Sequence, residues 1–118
     1  MLSRELADAF AEHWIAAWNA HDLDAILDHY EDDFVMASPV IVQLTGEASG
    51  RLQGRSAVGD YWSLALSHNP DLHFELLHVL RGVDSVTLVY NGVRGLSAEV
   101  FHFGPSGKVT AAFAHYLP

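Results

Sequence analysis

The hydrophobic periodicity of the chain changes once, near Asn69-Pro70, and this change limits the folds that the chain can adopt. Before that point apolar residues recur every three to four positions, as they do on a helix with one buried face. After it, apolar and polar residues alternate in segments separated by short turn sequences. Helices followed by consecutive strands are typical of the α+β class, in which helices cover one face of an antiparallel sheet.

The helical part predicts three helices and one short strand. The first helix lies near the N-terminus, and the second begins after Asp22 and extends to Tyr30, both with apolar residues at helical spacing. The sequence FVMAS, residues 34–38, follows as a strand. The third helix begins at Ser56, and the glycine-rich residues 45–56 before it are predicted to form a loop.

The second part predicts an antiparallel sheet, and both faces of that sheet carry apolar residues. Its strands are LHFELLHVL, SVTLVYN, LSAEVFHF and KVTAAFAHYL. A sheet with one face in water should alternate cleanly between apolar and polar residues, and EVFHF and VTAAFA do not. We therefore expect a homodimer through the outer sheet face, the face opposite the helices. The residues expected in this contact are Leu77, Val79, Val89, Val100, Val109 and Phe113.

Length, charge and composition exclude several classes of protein. The 118 residues correspond to one domain, 1–118, and a net charge of -9 argues against nucleic acid and anionic membranes as partners. No apolar run has the length of a signal or membrane helix, and the chain has no cysteine, so we expect a cytoplasmic protein. Eight histidines occur without metal-ligand spacing. The sequence predicts neither a metal nor a cofactor.

Several segments together resemble the nuclear transport factor 2-like superfamily, nearest to its SnoaL-like polyketide cyclase and ketosteroid isomerase branch. They are WNAHDLDAILDHYEDD, the Gly54-Arg55 start of the third helix and the closing EVFHFGPSGKVTAAFAHYL. The resemblance covers nearly the whole chain. It implies a cone-shaped fold, in which three helices pack on a curved sheet and enclose a pocket, and often a dimer. It is poorly specific for activity, because the fold carries isomerases, cyclases, dehydratases and proteins without catalysis.

The resemblance also assigns positions in the site. Ser38 stands where the isomerase branch has its carboxylate base, Trp14 where it has an oxyanion tyrosine, and Glu99 where it has a protonated aspartate. A serine without an adjacent base cannot move a proton between carbons, so the resemblance implies a site that lacks the usual isomerase base. Ser38 and Glu99 are the candidate catalytic residues. Alternatively, Ser38 only hydrogen-bonds the backbone where the chain turns at Pro39, and Glu99 is a carboxylate at the rim, paired with Arg94 or hydrated.

Strand alternation predicts which side chains share the pocket face with Glu99. Since Phe101 and Phe103 lie on the same face, the pKa of Glu99 should be raised by burial. Small residues among aromatic ones should leave space for a small, flat, apolar molecule. The predicted ligand-binding residues are Trp14, Trp18, Tyr30, Phe34, Met36, Tyr61, Trp62, Phe74, Leu88, Tyr90, Phe101, Ala112, Ala114 and Tyr116.

Two functions remain open from the sequence. The first is a protein that binds a small apolar ligand, as an isomerase- or cyclase-type enzyme acting on a polyketide- or steroid-like carbonyl compound. The second is a non-catalytic dimeric interaction module with a vestigial pocket. An open apolar cavity would favour the first, and the collapse of Trp14, Trp62 and Phe101 onto one another would favour the second.

Overall fold

Helices cover one face of a single curved sheet, which confirms the predicted α+β class. The computed structural model describes residues 1–118. The helices are α1 (Arg4–Asn19), α2 (Leu23–Leu27), α3 (Pro39–Thr45) and α4 (Arg55–His68). The strands are β1 (Tyr30–Ala37), β2 (Arg51–Gln53), β3 (Glu75–Arg81), β4 (Ser85–Gly92), β5 (Gly95–Phe103) and β6 (Val109–Tyr116), in the sheet order β2-β1-β6-β5-β4-β3.

Helix α1 provides much of the contact between the helices and the sheet. The Ser3 hydroxyl caps it by accepting a hydrogen bond from the Leu6 amide at 3.1 Å. Apolar residues at helical spacing then form one buried face. On that face Phe10 meets Phe101 and Phe103 edge to face, with ring centroids 4.8 Å and 5.0 Å apart. None of the helices is both long enough and apolar enough to cross a membrane.

The strand register brings the predicted pocket face together. Strands β3 to β6 form an antiparallel series in which Glu99 lies between Leu88 and Ala114. Strand β1 then pairs with β6 in the parallel direction, with Met36 opposite Ala112. The sequence did not predict this parallel pair. It places β6 in the interior of the sheet and brings the helical half of the chain against the strands that follow it.

The structure corrects the predicted helix count and several boundaries. There are four helices rather than three, because α3 forms where only a turn at Pro39 was expected. Helix α2 ends at Leu27, and Tyr30 begins β1 instead of lying on the helix. The predicted loop 45–56 contains the short strand β2, and α4 begins one residue before Ser56.

Two of the residues expected on the outer sheet face point inward. The register of β3 against β4 shifts between Leu76 and His78, so that Val79 pairs with Leu88 and packs against the core. A second shift, between His102 and Phe103, turns Val109 inward, where it is 0% exposed. A bulge adds one residue to a strand and thereby reverses the alternation of its side chains. Leu77, Val89, Val100 and Phe113 remain partly or fully exposed.

Candidate functional site

A cavity of about 290 Å³ opens between the helices and the inner face of the sheet. Thirteen of its 18 lining residues are hydrophobic. Its aromatic walls come from α1, α4 and the sheet, whereas the exposed residues His68, Val93 and Arg94 mark its opening. A mostly apolar concave site with a few polar groups is the usual form of a small-molecule site.

The cavity is lined by only part of the predicted set. The predicted residues that line it are Trp14, Trp18, Met36, Tyr61, Trp62, Phe74, Tyr90, Tyr116 and Glu99. The others, which lie in the packed core instead, are Tyr30, Phe34, Leu88, Phe101, Ala112 and Ala114. Strand alternation predicts the face of a side chain correctly but gives no depth along the strand. Near the middle of the sheet, α1 packs directly against β5 and leaves no space there.

Sequence reasoning missed a second group of lining residues. Val40 and Leu44 come from α3, which was not predicted, and Val93 and Arg94 come from the turn between β4 and β5. Ala65, His68 and Asn69 lie at the end of α4. Ser97 and Leu72 had a usable signal in the sequence, because strand alternation places Ser97 with Glu99 and Leu72 with Phe74.

Glu99 is a buried carboxyl group at the cavity wall, only 4% exposed. Its Oε1 atom accepts a hydrogen bond from the Tyr90 hydroxyl at 3.2 Å, which is the one side-chain hydrogen bond that the carboxyl group receives. Burial raises the pKa of Glu99 to about 7, and the hydrogen bond from Tyr90 opposes that rise in pKa. The alternative of a rim carboxylate paired with Arg94 is therefore wrong, since Glu99 is buried and makes no ion pair.

Ser38 caps a helix. It is 4% exposed, and its hydroxyl accepts a hydrogen bond from the Val40 amide at 3.1 Å at the first turn of α3. Proline is favourable at the following position, because the first helical residue needs no amide donor. No carboxylate or imidazole is hydrogen-bonded to the Ser38 hydroxyl, so nothing activates it as a base or a nucleophile.

The aromatic cluster fills the inner end of the cavity without closing it. Trp14 donates its indole N–H to the Tyr30 hydroxyl at 2.9 Å, which commits that donor within the protein. Its ring stacks on Phe74 at 5.6 Å and meets Phe101 edge to face at 5.3 Å. The protein therefore has both the open cavity expected of a ligand-binding protein and close aromatic packing at the inner end of that cavity.

Two further phenols line the cavity as donors. Burial raises the pKa of Tyr61 to about 12, the Glu99 charge adds to that rise, and the Ser38 hydroxyl opposes it. Burial likewise raises the pKa of Tyr116. The charge of Glu99 adds to that rise, and the Ser38 hydroxyl opposes it. Both phenols are therefore protonated near neutral pH. The site therefore contains both hydroxyl donors and a carboxyl group whose pKa of about 7 lets it gain or lose a proton near neutral pH. No three His, Cys, Asp or Glu side chains are grouped to hold a metal.

Comparisons with known proteins agree with this architecture. The model of the SnoaL-like domain matches residues 11–115. A SnoaL-like protein of unknown function from Burkholderia thailandensis E264 is 56% identical, with a TM-score of 0.95 and 98% of each chain covered. No curated protein matches the chain.

Two more distant structures share the fold alone. SalBIII, an epoxide hydrolase/cyclase-like enzyme with a role in pyran ring formation in the polyether salinomycin, is 17% identical, with a TM-score of 0.76 over 99% of this chain and 95% of that one. A candidate isomerase of the SnoaL-like family from Agrobacterium tumefaciens strain C58 is 12% identical, with a TM-score of 0.73 over 93% and 96%. The domain match and the 56% identical protein show that the chain belongs to the SnoaL-like family, and its fold is the cone fold of nuclear transport factor 2-like proteins.

Proposed function

We propose that the chain binds a small cyclic ketone of polyketide type and that Glu99 transfers a proton at the carbon beside the ketone carbonyl. This is an isomerase- or cyclase-type activity. The observation that carries the proposal is a buried carboxyl group at the wall of an aromatic cavity, where Tyr90 hydrogen-bonds only one of its two oxygens. Relatives of the same fold include cyclase-like and isomerase-like proteins.

The size of the cavity favours ligands of one or two rings. An apolar protein cavity of about 150 Å³ accommodates benzene. The cavity of this chain, about 290 Å³, is close to twice that volume. A four-ring steroid would have to extend through the opening, so a bicyclic ketone is the better probe.

The proposed reaction uses both protonation states of Glu99. Ionised Glu99 takes a proton from the carbon beside the carbonyl group, and the electron pair of the broken C–H bond moves into the carbonyl to form an enolate. Protonated Glu99 then returns the proton to the same or another carbon. A catalytic pKa near the working pH serves both steps best, and the pKa of Glu99 lies at about 7.

The test is hydrogen–deuterium exchange of 2-tetralone in D₂O, followed by proton NMR. We expect the wild type to speed exchange beside the carbonyl group and Glu99→Gln to lose about 10²- to 10⁴-fold of that acceleration, because the amide cannot act as the base. The control is Glu75→Gln, which removes an exposed carboxylate on β3 and should exchange like the wild type. The wild-type rate should rise with pH and level off above about pH 7.

Binding must be measured beside exchange, by calorimetric titration with 2-tetralone. Glu99→Gln should keep its affinity within about threefold, since the amide occupies nearly the same volume. Exchange that is equally fast in Glu99→Gln would contradict proton transfer by Glu99. Binding without any exchange in the wild type would reduce the function to ligand binding, and failure of the wild type to bind the ketone would contradict the proposal altogether.

A further inference from the structure

The opening of the cavity carries a cation without an anionic partner. Arg94 is the only lysine or arginine among the residues that line the cavity, in a chain with six such residues and a net charge of -9. It makes no ion pair with any carboxylate of the protein. One of its amino groups donates to the side-chain oxygen of Gln43, and its guanidinium lies 5.9 Å from the ring centroid of Tyr116. These neutral contacts hold Arg94 at the opening and leave its charge uncompensated.

Hydroxyl donors lie within the field of the same guanidinium. Tyr61 and Tyr116 line the cavity, where their phenol groups lie beside the Ser38 hydroxyl. The positive charge of Arg94 acts on both phenols and opposes the rise in their pKa that burial causes. A planar guanidinium with several free donors, close to two phenol donors, is suited to the two oxygens of a carboxylate.

We propose that Arg94, with the hydroxyls of Tyr61 and Tyr116, forms a subsite for the carboxylate of a cyclic or aromatic acid whose rings occupy the cavity. This inference rests on the proposed function, because it uses the same cavity, and it narrows the ligand class from ketones in general to those that carry an acid group. The apolar walls bind the rings, and the subsite sets their orientation relative to Glu99. A carboxylate is favoured over a phosphate because its single negative charge matches the single positive charge of Arg94, whereas a phosphate group carries nearly two.

The test compares two probes of the same shape, 2-naphthoate and 2-naphthamide, by calorimetric titration at low salt. We expect the wild type to bind the acid about 10- to 100-fold more tightly than the amide, since hydrogen bonds between charged groups are the stronger ones. Arg94→Gln should lose this preference and bind the amide within about twofold of the wild type. Tyr61→Phe and Tyr116→Phe should weaken the binding of the acid by smaller factors.

The matched control is Arg51→Gln. Arg51 also lacks a carboxylate partner and lies over an aromatic ring, 5.7 Å from the centroid of Phe113, but it does not line the cavity. This variant should keep the preference for the acid. Added salt should weaken the binding of the acid and leave the amide unaffected, as expected for a charge at a solvent-exposed opening.

The outcomes separate this proposal from the one on which it rests. If the wild type binds the acid and the amide equally, the carboxylate subsite is overturned and the cavity keeps its proposed ligand class. If Arg94→Gln keeps the preference, the acid group binds elsewhere and Arg94 has no part in it. If neither naphthyl probe binds, the carboxylate subsite is contradicted. The titration with 2-tetralone then shows whether the proposed function is contradicted as well.

Discussion

At the scale of single residues, Glu99 on β5 lies between two apolar neighbours, Leu88 on β4 and Ala114 on β6. The sequence predicted a buried carboxyl group here, because strand parity places Glu99 with Phe101 and Phe103 and the family resemblance places it in the pocket. Parity did not reveal that Tyr90 supplies the hydrogen bond, since that contact depends on the register between β4 and β5. The identity of the carboxyl group was therefore predictable, and its partner was not.

The raised pKa of Glu99 predicts a pH dependence of stability. The folded state holds the proton more tightly than the unfolded state, so the free energy of unfolding should fall as pH rises from about 4.5 to about 7 and then stay level. The full effect is on the order of 3 kcal/mol. Glu99→Gln should lack this decline. Denaturant unfolding of both proteins between about pH 4 and about pH 8 measures it, and parallel profiles for the two proteins would contradict the raised pKa.

At the scale of elements, helix α3 was missed, although the contact that begins it was expected. The backbone hydrogen bond expected of Ser38 beside Pro39 is present, but the two residues begin a helix rather than a turn. A local signal was present, because serine followed by proline is a common start of a helix. The seven residues of α3 are too few for a clear hydrophobic period, so only a turn was predicted at Pro39.

The role of Ser38 as a cap predicts a change in stability. Ser38→Ala removes the acceptor for the Val40 amide and should lower the free energy of unfolding by about 1 kcal/mol. Ser63→Ala, at an exposed position of α4 without a side-chain hydrogen bond, should change the free energy of unfolding by less than about 0.5 kcal/mol. Denaturant unfolding compares the two variants, and an equal, negligible effect of both would contradict the capping role.

The strand bulges account for the remaining errors at this scale. Val79 and Val109 were assigned to the outer sheet face by strict alternation. Val79 follows the register shift in β3, and Val109 pairs with Phe103 at the shift in β5, so both side chains point inward. Nothing in the local sequence marks these shifts, because no glycine occupies either bulge. They arise from how neighbouring strands meet, which the sequence of one strand does not contain.

At the scale of the whole molecule, the order of the elements was predictable and their long-range pairing was not. Turn sequences predicted the antiparallel series from β3 to β6, since each connection there is local. The parallel pairing of β1 with β6 joins segments from opposite ends of the chain, and no turn specifies it. That pairing and the packing of α1 set the depth of the cavity. The sequence therefore predicted which sheet face carries the site better than it predicted which residues line the cavity.

The outer sheet face predicts a homodimer. Val100 and Phe113 face each other across β5 and β6, and Leu77 and Leu80 add side chains that are 39% and 55% exposed. An apolar surface of this kind is typical of a contact between proteins. Phe113→Asp should shift the protein from dimer towards monomer, whereas Val83→Asp, in the exposed turn between β3 and β4, should leave it dimeric. Light scattering at micromolar concentration measures this, and a monomeric wild type would contradict the dimer.

The walls of the cavity also determine how the protein interacts with light. The chain has three tryptophans, and all of them, Trp14, Trp18 and Trp62, line the cavity. Trp18 lies 5.4 Å from Trp62 and 6.0 Å from Trp14 between ring centroids, so the three indoles form one coupled group of chromophores. The outer sheet face and the turns contain no tryptophan. Indole emission from this protein therefore originates at the cavity alone, and the chain carries an optical reporter of its own site without any added label.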